Sequence, residues 1–145
     1  MSTDTFDPAD APQPVAGNGL RQVPLALLPE LADAAWRAGF LISHVALAGV
    51  DDKAGLLAAC ADGLAFPPGL GGNWDGLADA LDDLSWLDGD HHAILIDGAA
   101  TLRAQAPQVL ATLNEIIAEV AAQRAAAGLP FQVFLCDEPM PTQAG

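Results

Sequence analysis

Apolar and polar positions alternate along the chain in blocks whose spacing defines the elements. Between Leu25 and Ala38, the residues Leu28, Leu31, Ala32, Ala35 and Trp36 recur at helical spacing, and Gly39 supplies a stop. Leu41 to Val50, centred on His44-Val-Ala-Leu-Ala-Gly-Val50, reads as a strand. Asp51 or Asp52 is placed to cap a helix running through Leu56, Leu57 and Cys60 to about Leu64. No helix crosses Phe66-Pro-Pro-Gly-Leu-Gly-Gly72, where prolines remove donors and glycines relax the backbone. Asn73 caps a helix from Trp74 to about Asp83, and Asp88-Gly-Asp90 makes a turn. His91 to Ile96 is a second strand. Pro107 opens a long helix that ends before Gly128, with Val109, Leu110, Leu113, Ile116, Ile117 and Val120 as its stripe. Phe131 to Cys136 is a third strand.

Every gap between strands is long enough for a crossover, so the expected fold is α/β: a three-stranded parallel sheet packed against helices, with an extra N-terminal helix. The short, continuously apolar strands suit a sheet buried on both faces. Residues 1 to 22 carry few large apolar side chains and read as a flexible tail. Residues 23–136 form one domain, and 137–145 a second tail. No internal repeat is visible.

Charge adds a restriction. Acids outnumber Lys plus Arg 19 to 5 in 145 residues, a formal net charge of −14, while 52% of the chain is hydrophobic. Five scattered bases cannot supply the phosphate contacts of a nucleic-acid surface or an anionic membrane. High hydrophobicity argues against global disorder. The charged partner of such a chain would be basic. Cys60 and Cys136 suit a reduced compartment, where thiols serve as small apolar residues. The start, MSTDTFDPAD, has neither the basic nor the apolar part of a secretory signal, and no apolar run approaches a membrane span. A soluble, cytoplasmic protein is expected, with a monomer assumed.

Wrapped on a helix, Trp74 to Trp86 sorts into two sides. Trp74, Leu77, Leu81 and Leu84 share one; Asp75, Asp79 and Asp82 share the other, with Asp83 beside them. Like charges three or four residues apart cost a helix roughly 0.2–0.5 kcal/mol per pair. No Lys or Arg lies between Lys53 and Arg103 to offset them. The stripe therefore reads as a rigid anionic ridge. Two plainer readings compete: Asp75 suits the positive end of the helix dipole, and acidic surfaces often only solvate.

Other chemistry is less well supported. Gly69 to Gly72 lacks the Lys-Ser/Thr ending of a phosphate loop and follows a helix. His91 and His92 are adjacent, so strand geometry turns them apart; no metal site and no cofactor is expected. Acid–base catalysis by Asp75 and Asp79 needs a pocket that separates their proton affinities, which a convex ridge lacks. No nucleophile motif of the form Gly-x-Ser-x-Gly is present. No catalytic residue is assigned.

The stretch from Phe66-Pro to Trp86 resembles the barstar family of intracellular ribonuclease inhibitors, through Gly71-Gly-Asn73, Asp75, Leu77, Asp79 and Leu81. The order of elements from Leu41 to Cys136 fits as well. The resemblance implies that the acidic helix and the loop before it plug the active site of a basic nuclease. It places Asp79 where an acid replaces a substrate phosphate, with Asp75 as its companion, and puts Gly71, Asn73 and Asp82 on the same surface. Three features of the family's founding member are altered: Gly69 stands where it has a loop tyrosine, Ala78 where it has a tryptophan, and Gln123 falls at an acid of its last helix. Trp86 and Leu70 are candidates to replace the lost aromatic contact. The expected function is inhibition of a basic ribonuclease by a non-enzymatic protein. The alternative is an acidic interaction module with a non-nuclease basic partner.

Overall fold

The computed structural model describes residues 19–87, 89 and 91–137. Asp88 and Asp90 of the expected turn, and the tails 1–18 and 138–145, lie outside the described residues. Four strands form one sheet: β1 (Gly19–Pro24), β2 (Leu41–Ala46), β3 (His92–Asp97) and β4 (Phe131–Asp137). Their order is β1-β4-β3-β2. Every pairing is parallel, with Ile94 opposite Ser43 on one side and Val133 on the other.

The fourth strand corrects the expectation of three. Gly19–Pro24 pairs with β4 along its whole length, from Gly19 opposite Gln132 to Pro24 opposite Asp137. Gly19 to Gln22 had the composition of a tail. The strand lies at the edge of the sheet and is held by backbone hydrogen bonds, which leave no hydrophobic signature. Only Leu20, packed on the larger core, and Val23, buried in the smaller one, mark it.

Strand alternation divides the interior. Val45, Ile94, Ile96, Val133 and Leu135 point into the larger core, shared with residues of α2 (Lys53–Gly63), α3 (Trp74–Asp83), α4 (Ala100–Gln105) and α5 (Pro107–Ala126). Leu95, Phe134 and Cys136 point the other way, toward Leu31 of α1 (Leu28–Arg37), and Ala93 joins Ala35 and Phe40. Burial on both faces accounts for the apolar runs 93–96 of β3 and 133–136 of β4.

Local chemistry sets the ends. Asp52 accepts the Gly55 N–H at 2.8 Å to cap α2, and Pro107 opens α5. A Cβ on Gly63 would overlap the His44 carbonyl, so glycine lets α2 lie close on β2. Several expectations shift. Leu25–Leu27 is a 3-10 turn preceding α1, and β2 ends at Ala46 rather than Val50. Helix α4, with Leu102 buried, fills a stretch assigned to no element. Trp36, placed on the apolar face of its helix, is 69% exposed.

Candidate functional site

Helix α3 begins as its sequence directs. Asn73 is extended (φ −149°), and its side-chain oxygen accepts the Gly76 N–H at 2.6 Å while its carbonyl accepts the Leu77 N–H at 2.8 Å. The first bond satisfies a donor that the first turn would otherwise leave open, and the second is the first intrahelical bond of α3. Leu77, Leu81 and Leu84 are buried in the larger core, and Ala80 is buried as well. Asp75, Asp79, Asp82 and Asp83 are exposed on the other side. The periodicity is therefore realised as a helix with a buried apolar back and an acidic outer face. Asp83 also accepts a hydrogen bond from the Ser85 hydroxyl at 2.9 Å.

The loop before α3 is fastened from behind. Gly71 is buried with φ +80°, and a Cβ there would overlap the Phe66 ring. Phe66 meets Trp86 edge to face, with centroids 5.5 Å apart. The Trp86 indole N–H donates to the Leu64 carbonyl at 3.0 Å. Trp86 is thus half-buried and ties the end of α2 to the chain beyond α3. Gly71, Asn73, Asp75, Asp79 and Asp82 follow one another along one loop and one helix, while Trp86 stands behind that loop. Gly69 is exposed, Leu70 half-buried and Ala78 half-buried between the acids.

Two cations near the ridge come from outside it. Lys53 Nζ, at the start of α2, lies 5.4 Å from the centre of the Trp74 ring, a cation–π distance. Arg124, from the end of α5, is buried and donates to the Asp82 carbonyl at 2.9 Å and to the Leu81 carbonyl at 3.4 Å. The absence of bases from the segment 54–102 does not, then, leave the helix without positive charge; the fold brings one to its end. Sequence reading passed over Arg124, yet a signal was present. It falls four residues after Val120 and seven after Ile117, where the stripe of α5 calls for another apolar residue.

The remaining candidates separate. His92 is buried in β3, whereas His91 is half-buried and packs edge-on against Phe40 at 5.6 Å. Among the described residues no group of three or more His, Cys, Asp or Glu side chains is placed to hold a metal ion. A shallow groove of about 490 Å³ is lined by Trp36, Gly39, Phe40, Leu41, Gly89 and His91, and none of the ridge acids borders it. No described helix is long and apolar enough to cross a membrane.

The acidic face therefore belongs to a four-stranded parallel α/β domain, on a capped helix that follows a glycine loop. The model of the barstar family, described as barnase inhibitor, matches residues 40–136, and the chain belongs to that family. The match covers β2 to β4 and all of the candidate site, and leaves out β1 and α1. No curated protein matches the chain.

Proposed function

We propose that this protein inhibits a basic ribonuclease by seating the outer face of α3 and the loop before it in the nuclease active site. The observation that carries the reading is the exposed array of Asp75, Asp79 and Asp82 on a helix whose other side is locked into the core. A ribonuclease binds phosphate through Lys, Arg and His. Carboxylates on a pre-formed helix meet those groups without the entropy cost of ordering a flexible segment. Asp79 takes the phosphate position, Asp75 and Asp82 flank it, and Asn73 and Gly71 shape the edge. Trp86 contributes by holding the loop from behind. The family consists of inhibitors, and nothing in this reading calls for a cofactor or catalytic group.

The glycine at 69 and alanine at 78 favour one competing reading: the same face bound to a basic protein that is not a nuclease. Aromatic anchors often dominate interface energies, and these positions have none. One experiment separates the two. A secreted basic ribonuclease from the same cell, or barnase, is assayed for RNA cleavage against increasing amounts of the protein. Inhibition that saturates at one equivalent supports the first reading. Undiminished cleavage, with a non-nuclease recovered as the stable partner, supports the second.

A further inference from the structure

We infer that Arg124 is a positioning residue for the acidic face, acting on the C-terminal turn of α3 from beneath. The claim that this matters for binding rests on α3 being the contact helix. Three features of that turn oppose its own formation. The last carbonyls of a helix have no intrahelical partner. Asp82 and Asp83 sit at the negative end of the helix dipole. The chain then leaves through Leu84, a non-glycine residue with φ 52°, in the left-handed region that β-carbons disfavour.

The Ala80 carbonyl is satisfied by the Leu84 N–H at 3.0 Å. The next two carbonyls, of Leu81 and Asp82, receive the Arg124 guanidinium at 3.4 and 2.9 Å. Both bonds come from one terminal nitrogen, Nη1, whose two N–H groups serve the two adjacent acceptors. The positive charge of the guanidinium also sits at the end of the helix where a cation is favoured. Arg124 is 2% exposed, and its guanidinium carbon lies 5.4 Å from the centre of the Phe131 ring, so β4 and α5 fix its place. The contact carries the rigidity of the core to the turn that presents Asp82, one turn beyond Asp79. A helix of 10 residues is too short to hold that turn by propensity alone.

The experiment compares Arg124→Met, which keeps an apolar stem and removes the charge, with Arg124→Lys, which keeps a cation on a shorter side chain. Native-state hydrogen exchange is measured on the free protein, and dissociation from barnase is measured separately. In Arg124→Met the amides of Leu81 to Leu84 exchange at least tenfold faster, while Ile94 and Val133 keep their protection. Arg124→Lys restores part of the loss. Unchanged exchange at Leu81 to Leu84 overturns the inference, and so does an equal loss in α3, β3 and β4. If Arg124→Met does not fold, Arg124→Lys decides alone: a smaller, still local acceleration supports the inference, and none overturns it. Where barnase binds, faster dissociation of Arg124→Met supports positioning. Unchanged dissociation alongside loss of binding in Asp79→Ala overturns it while the inhibitor reading stands. If wild-type protein does not bind barnase, the inhibitor reading fails for that enzyme and hydrogen exchange still decides the role of Arg124.

Discussion

Gly71 shows how one residue without a side chain can shape the loop before α3. Its φ of +80° disfavours a side chain, and the Phe66 ring occupies the space a β-carbon would need. Gly71→Ala should cost roughly 1–3 kcal/mol of stability through backbone strain and overpacking, read as a lower denaturant midpoint. The same change should weaken partner binding, because Phe66 and Trp86 must shift. Cys60 has a different kind of constraint. Burial pushes its thiol up from an ordinary value of 9.0 to about 12. The folded state therefore holds a proton that the unfolded chain releases above about pH 9. Stability should be unaffected by this group below that value, then fall by up to about 1.4 kcal/mol per pH unit as pH rises from about 9 toward 12. Cys60→Ala should flatten that part of the pH–stability curve measured by urea unfolding. An unchanged slope would assign the alkaline loss to other groups.

At the scale of elements, α3 was the most legible part of the chain. Asn73, the spacing of Leu77 and Leu81, and the phased aspartates all specify the same helix, Trp74–Asp83. Asn73→Ala should remove the bond to the Gly76 N–H and cost about 1 kcal/mol, seen as a fall in melting temperature. Strands β3 and β4 were legible for a similar reason, since burial on both faces demands continuous apolar runs. Strand β1 was not. An edge strand joined to β4 through its backbone needs few apolar side chains, and Arg21, Gln22 and Pro24 conceal it. Helix α4 was hidden by its brevity. The periodicity of α5 marks Arg124 as a cation on a buried stripe, but its partner at the end of α3 is distant in sequence and cannot be read from local periodicity. Trp36 illustrates the opposite limit: helical phasing placed it among apolar neighbours, and the fold left it in solvent.

At the scale of the whole molecule, a formal charge of −14 supplies a negative field, and under the proposed function that field would steer a basic protein toward the face of α3. The two make separable contributions. The general charge governs how fast partners meet and how strongly salt slows them, whereas a buried interfacial carboxylate governs how long they stay. The central claim is that Asp79 is that carboxylate. Its most direct test is a calorimetric titration of wild-type protein and Asp79→Ala against the ribonuclease that the wild type inhibits, with thermal unfolding of each as a control. The account predicts at least a tenfold loss of affinity, about 1.4 kcal/mol or more, with the melting transition preserved because Asp79 is exposed in the free protein. Equal affinity of the two proteins, with both folded, would contradict it.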